Sequence, residues 1–378
     1  MGPLAGIKVI EMKGIGPGPY AGQLMADLGA EVIVVERASK PNSIAPPSAM
    51  DVNSRGKRSI ALDLRKVEGL ETLLTLVESA DVIFEGNRPG VAERLGFGPD
   101  VCMARNSKII YGRMTGWGQT GTLAQSAGHD FNYISLTGAA AAIGTKEQPV
   151  PPLNMVGDYA GGSMFLVVGI LSALIEVKKS GVGQVIDTAI TDGSAHLMSM
   201  FYTMSNIGTW NTSRESNMLD GGAPYYGAYE TSDGKHLSVG PIEPKFFAEM
   251  VTLSGMPEAL IQDQNNPAKW GEIKSTMVET FKTKTRDEWV EIFEGTDACV
   301  AGILNYEEAI HHPHNQSRST FVEVNGQMQP APAPRFSRTE CTTPKAPSAE
   351  GADTQAVLAD WGFDESAINT LAANGVLT

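Results

Sequence analysis

Hydrophobic positions fall in short blocks at the start of the chain and in longer ones further on. Ile7–Met12 is a strand-length apolar run closed by GIGPGP. Tyr20–Leu28 then carries apolar residues at helical spacing and stops at Gly29, a C-cap signal. Glu31–Val35 and Ile60–Leu64 read as strands, Val67–Ser79 as a helix, and Val82–Phe84 and Ile109–Met114 as strands. This alternation over residues 1–115 predicts an α/β fold, a parallel sheet with helices on its faces. Ser163–Lys178 and Thr191–Met204 read as long apolar helices.

The pattern changes after about Met218. Tyr225–Glu230, the turn SDG and His236–Gly240 predict a β-hairpin. Helical spacing follows over Glu243–Leu253, Trp270–Lys282 and Arg286–Phe293, which together suggest a second, smaller α+β domain. The Pro-rich PAPAPRFS, 330–337, reads as extended, and Thr354–Leu377 as two short helices.

A length of 378 residues suits two domains, and 42% hydrophobic with 19% charged residues suits a globular protein with a large core. The formal net charge of -14 argues against nucleic acid as a partner, so basic clusters carry information. Cys102, Cys299 and Cys341 are far apart with no CxxC, and read as thiols in a reducing compartment. No leader pattern opens the chain, and the apolar run Met164–Ile175 is too short to span a bilayer. A cytoplasmic protein that neither enters a membrane nor binds one is the expectation.

GIGPGP followed by Glu36 imitates a dinucleotide-binding fingerprint. Its glycines run GxGxG, however, and Pro17 and Pro19 lack the amide donors a pyrophosphate would need. A tight β–α turn with proline at the first helical position explains the loop better. The cations are better placed. Arg37, Arg65 and Arg88 each follow a strand, and parallel strands bring their carboxyl ends to one edge. SRGKRS adds Arg55, Lys57 and Arg58, and GNRPGVAER adds Arg94. Guanidinium groups grip phosphate in a bidentate fashion, so such an edge suits a ligand with several phosphates. Ordinary solvated arginines would give the same spacing.

GHDFNYISLTG, 128–138, and NMVGDYAGGSMF, 154–165, set His129 and Asp158 beside glycines at the lips of apolar runs. Glu243 precedes Pro244 at a helix start. Each has a structural explanation: His129 satisfying backbone groups, Asp130, Asp158 and Glu243 as acids at helix N-termini. Gly157, Gly161 and Gly162, costly in a helix, instead suggest close backbone approach and amides for a developing oxyanion. A base, an acid and an oxyanion hole are the equipment for removing a proton beside a carbonyl. HHPH, His311–His314, reads as a loop, and no metal site is expected.

The motifs PLAGIKVIEM, RMTGWGQTG, AGHDFNYISLTG, VGDYAGGSMF, MLDGGAPYYGAYE and VGPIEPKFF, with APAPRFSR near the end, span essentially the whole chain. In this combination the sequence resembles the alpha-methylacyl-CoA racemase branch of the family III CoA-transferases. The resemblance implies a large Rossmann-like CoA domain and a small α+β domain interlocked in a homodimer. Residues 1–190 and 341–378 would form the large domain, 221–315 the small one, and 191–220 and 316–340 the linkers. It implies an acyl-CoA thioester substrate with no separate cofactor. His129 and Asp158 would be the two catalytic bases on opposite faces of the α-carbon, and Glu243, from the partner subunit, would support the histidine. CoA would be held by Arg37, by Leu62, Asp63, Leu64 and Arg65, by Gly86, Asn87 and Arg88, by Arg94, and by Gly128, His129, Asp130, Phe131, Asn132 and Tyr133. Arg65 stands where a lysine is common in relatives.

The expected reaction is epimerisation of 2-methylacyl-CoA by 1,1-proton transfer, with desolvation raising the acid and lowering the histidine. Gly161 and Gly162 would supply the oxyanion donors. Met155, Met198, Met200, Met204 and Met218 would give the acyl tail a pliable surface, although methionines also simply fill cores. The alternatives are a CoA-transferase in which Asp158 forms an acyl anhydride, and a catalytically silent CoA-binding protein.

Overall fold

The computed structural model of the chain describes residues 2–36 and 47–377, and Arg37 therefore lies outside the described residues. In chain order the first elements are β1 (Lys8–Met12), α1 (Pro17–Asp27), β2 (Glu31–Glu36), β3 (Arg58–Ala61), α2 (Val67–Ser79), β4 (Val82–Glu85), α3 (Val91–Leu95), α4 (Pro99–Arg105) and β5 (Ile110–Thr115). Then follow α5 (Asp130–Ser135), α6 (Ala139–Ala142), a π-helix (Met155–Met164), α7 (Phe165–Ser180), β6 (Gln184–Ala189), α8 (Ile190–Leu197) and α9 (Ser199–Asn206). Two units are resolved by their internal contacts: residues 1–137, 153–197 and 314–378, and residues 138–152 with 198–313. The segment 138–152 thus joins the second unit, which the resemblance had begun at 221.

The first unit is built on a six-stranded sheet of order β3-β2-β1-β4-β5-β6, parallel throughout. Both faces are covered, so its inner strands are continuously apolar rather than alternating. Ile10, Ile33, Ile60, Ile83 and Tyr111 pack toward α2, while Val9, Val32, Val82, Phe84 and Ile110 face α1 and α7. Each fully buried Val, Ile or Phe among them contributes roughly 1.5–3 kcal/mol. The sheet order reverses between β1 and β4, which opens a crevice at the carboxyl ends of the strands.

β6 was not read from the sequence. QVIDTA is an edge strand, exposed at three of its six positions, and lacks a strong apolar run. The expected helix Thr191–Met204 is two helices, α8 and α9, interrupted at Met198. The apolar run placed at Met164–Ile175 belongs to a longer helix, because the π-helix runs directly into α7. Met155–Ser180 is long and apolar enough to cross a membrane by length and composition alone. Here Leu166, Val167, Ile170, Ala173 and Leu174 bury one side of it against the sheet.

SRGKRS does not supply free cations. Arg55 and Lys57 are buried in ion pairs with Asp27 and Glu11, each 2.6 Å long, and Arg58 reaches Asp360 at 2.8 Å. A buried charge is tolerable only when paired in this way. Gly22 leaves the space that the Glu11 carboxylate occupies. Glu36, the apparent ribose ligand, is buried among Ser48, Ser59 and Lys13.

The second unit holds an antiparallel sheet of β7 (Gly227–Glu230), β8 (His236–Val239) and β9 (Val300–Gly302). α10 (Pro244–Ser254), α11 (Trp270–Phe281) and α12 (Arg286–Phe293) pack on it around Phe247, Phe281 and Trp289. α13 (Tyr306–His311) closes the unit, and α14 (Pro313–Ser317) leads back to the first. There the hairpin β10 (Phe321–Val324) and β11 (Gln327–Pro330) precedes α15 (Thr354–Asp360) and α16 (Glu365–Ala373). The hairpin is tied to the first unit by Arg55, whose guanidinium donates to the Pro330 carbonyl at 2.7 Å.

Candidate active site

A cleft of about 550 Å³ opens at the carboxyl ends of β1, β4 and β5, where the sheet order reverses. Its walls bring together Gly86, Asn87 and Arg88 after β4, Gly128, His129 and Tyr133 at the head of α5, and Asp158 on the π-helix. The two proposed bases, 29 positions apart in the chain, thus line one cavity.

Local chemistry explains how each is held. His129 is the N-cap of α5, and its backbone N–H donates to Asn132 Oδ1 at 3.0 Å. Its side chain is exposed, whereas the expectation was a desolvated imidazole. Tyr133 anchors the preceding peptide, its hydroxyl donating to the Gly128 carbonyl, and its ring meets Trp117 edge-on at 4.8 Å. Gly116 must be glycine for that ring to fit, since a Cβ there would lie 2.0 Å from Tyr133 Cε1.

Asp158 sits in the first turn of the π-helix, a rare element that tends to mark functional sites. The wide coil begins with Tyr159 N–H donating to the Asn154 carbonyl, an i to i−5 bond of 3.2 Å. Asp130 caps the coil: its carboxylate accepts the Asp158 backbone N–H at 2.6 Å and that of Gly157 as well. Asp130 therefore serves the π-helix as well as heading its own helix. Gly157 is required by this contact, because a Cβ there would lie 2.3 Å from Asp130 Oδ1.

The Asp158 carboxyl is raised from its ordinary 3.8 to about 6, first by burial and then by the neighbouring Asp130 charge. A 3.4 Å contact from Asn154 Nδ2 and the nearby His129 act in the opposite direction. Burial likewise raises Asp130, against the pull of its two backbone donors.

Gly161 and Gly162, the expected oxyanion donors, sit behind the cleft wall. Both are buried in the interior of the π-helix and neither lines the cleft. Their lack of Cβ serves packing instead, since a Cβ on Gly161 would meet Ser194 Oγ at 2.3 Å and one on Gly162 would meet Pro17 at 3.1 Å.

The remaining CoA candidates divide. Arg88 is exposed in the cleft wall, on a loop held from beneath by Glu85, which accepts the Asn87 N–H at 2.5 Å. Arg113 spans Glu85 and Glu93 at 3.3 and 2.8 Å, joining that loop to α3 and hence to the exposed Arg94. Arg65 is exposed and paired to Asp63 at 2.8 Å, whereas Leu62 is buried in the core with its backbone N–H donating to the Glu36 carbonyl at 3.0 Å. Leu62, Asp63, Leu64, Arg65, Arg94, Asp130, Phe131 and Asn132 do not line the cleft. Glu243 lies in the second unit, exposed at the N-cap of α10. Met155 and Met200 are exposed, but Met218 packs against the second unit's core.

Asn154, Ile15, Gly16 and Trp117 line the cleft and were not assigned roles from sequence. The i, i+4 spacing of Asn154 and Asp158 was a usable signal, since helical neighbours share a face. Among the described residues no three metal-ligating side chains converge, and HHPH falls on α13, α14 and their junction.

The family model for CoA-transferase family III matches residues 4–354. The alpha-methylacyl-CoA racemase of Mus musculus is 40% identical over 99% of this chain and 97% of its own length. That of Homo sapiens is 38% identical with the same coverage. Among solved structures, a CAIB/BAIF family protein from Brucella suis superposes with a TM-score of 0.81 at 26% identity, covering 95% of this chain and 99% of that one. A cleft at the sheet reversal, the acid–histidine pair lining it and the full-length match agree: the chain belongs to CoA-transferase family III.

Proposed function

We propose that the protein is an alpha-methylacyl-CoA racemase, interconverting (2R)- and (2S)-2-methylacyl-CoA by 1,1-proton transfer. The single observation that carries the chemistry is an acid raised to about 6 that lines one cleft with a histidine. At that value roughly a tenth of the carboxyl is protonated at pH 7, so the acid can give or take a proton near neutrality. Neutral His129 takes the α-proton of one epimer, the electron pair passes into the thioester carbonyl as an enolate, and protonated Asp158 returns a proton to the opposite face. Asp158 leaves ionised and His129 protonated; the other epimer runs the same steps in reverse.

Arg88 and Arg94, with Arg37 and Arg65, are the proposed cations for the CoA phosphates, and no separate cofactor enters. We place Glu243 beside the histidine of a second copy in a homodimer. A partner chain would also cover Met164, Val168 and Ile175, exposed apolar residues along the Met155–Ser180 helix. The free thiols of Cys102, Cys299 and Cys341 suit a reducing compartment, the cytoplasm in this reading.

Incubating a single epimer of 2-methylacyl-CoA in deuterated water tests the proposal. Loss of configuration with label entering the α-carbon, and no acid acceptor, is the expected result. Acceptor dependence with hydroxylamine trapping at Asp158 would replace it with the CoA-transferase reading.

A further inference from the structure

The glycine loop that imitates a dinucleotide site lies directly against the acid. Gly16 has a φ of 69°, and a Cβ built on it would stand 3.0 Å from Asp158 Oδ2 and 3.4 Å from Cγ. One residue on, the Pro17 carbonyl accepts from Ser163 Oγ at 2.7 Å, and the same hydroxyl lies 3.0 Å from the Asp158 carbonyl. Ser163 is fully buried, and Gly162 beside it packs against Pro17.

We propose that Ser163 and Gly16 are positioning residues for Asp158: the hydroxyl ties the loop to the π-helix, and the bare Cα of Gly16 leaves the carboxyl its seat. One hydroxyl proton serves two carbonyls on two segments, so loop and π-helix share a single buried donor. Removing it frees the loop to part from the helix and admits more water to the already half-buried carboxyl. Burial is the largest cause of the raised Asp158 value, so a wetter carboxyl ionises more readily. GIGPGP thereby gains a role as a wall of the cleft beside the acid.

The kinetic consequence rests on the racemase reading; the titration does not. Ser163→Ala and Gly16→Ala are compared with wild type in two measurements. Carboxyl ¹³C NMR follows the Asp158 titration, and deuterium exchange follows each epimer separately. In Ser163→Ala the titration midpoint moves down by about half a unit or more. Exchange of the α-proton facing Asp158 slows about tenfold, and exchange on the histidine face stays within about twofold, with KM unchanged. Gly16→Ala slows the same face by displacing the carboxyl, and it provides the readout if Ser163→Ala does not fold. Equal losses on both faces with an unmoved titration, or no change in either measurement, would overturn the proposal. Absence of exchange in the wild type would remove the racemase reading and leave the titration alone to decide the clamp.

Discussion

The carboxylate of Asp130 accepts the backbone N–H of Asp158 at 2.6 Å, so the residue beside one proposed base caps the helix that carries the other. The same carboxylate is a like charge near Asp158 and the second cause of its raised value. One neighbour therefore both positions the acid and adds to the effect of burial on its proton affinity.

Asp130→Asn separates these effects, since the amide oxygen still accepts a backbone N–H but carries no charge. The Asp158 value moves down from about 6 without returning to 3.8, because burial, the larger cause, remains. The corresponding limb of the pH–rate profile for α-proton exchange shifts to lower pH. An unmoved limb would show that Asp130 acts only as a cap.

His129→Ala and Asp158→Asn complement each other under the two-base mechanism. Each should lower racemisation by roughly 10²–10⁴-fold. Each should also retain exchange, with retention of configuration, in the one epimer whose proton faces the surviving base. Identical behaviour toward both epimers would mean a single base.

Asp158 should also trade stability for activity. Its folded value, about 6, exceeds the unfolded 3.8, so the fold favours the protonated form. That contribution is complete below pH 3.8 and lost as pH rises through about 6. The shift corresponds to about 3 kcal/mol at most, and less in practice because the carboxyl is partly exposed to solvent. Asparagine resembles the neutral acid, so Asp158→Asn melts above wild type at pH 8 and together with it at pH 4. Thermal unfolding at the two pH values checks this.

Arg113→Met leaves Glu85 as a buried carboxylate without its cation, which costs roughly 3–5 kcal/mol. Because Glu85 also holds the Asn87 amide, KM for acyl-CoA should rise as the Arg88 loop loosens. Denaturant unfolding and steady-state kinetics measure the two effects, and a stable variant with unchanged KM would contradict the network's role.

Gly116→Ala needs space that the Tyr133 ring already fills. Displacing the ring frees the Gly128 carbonyl and shifts His129, so the histidine-face exchange should fall about tenfold or more with little change on the acid face. Epimer-resolved exchange measures the difference.

Amino-acid order alone determined most of the first unit. Runs such as Val82–Phe84 and the helix Val67–Ser79 are legible because burial on both faces demands unbroken apolar strands and helices keep their period. The motifs around His129, Asp158 and Glu243 carried the family. Edge strand β6 stayed hidden because half of its positions are exposed and it carries no unbroken apolar run. Only tertiary structure decided which charges were available: Arg55 and Lys57 look like ligand cations in SRGKRS, yet the fold buries them on Asp27 and Glu11. It also decided that Gly161 and Gly162 are packing surfaces, and that Asp130 reaches across to a helix that begins 25 positions further along the chain. Burial and proximity between distant segments set charge states and hydrogen-bond partners, and neither is a property of any local run of residues.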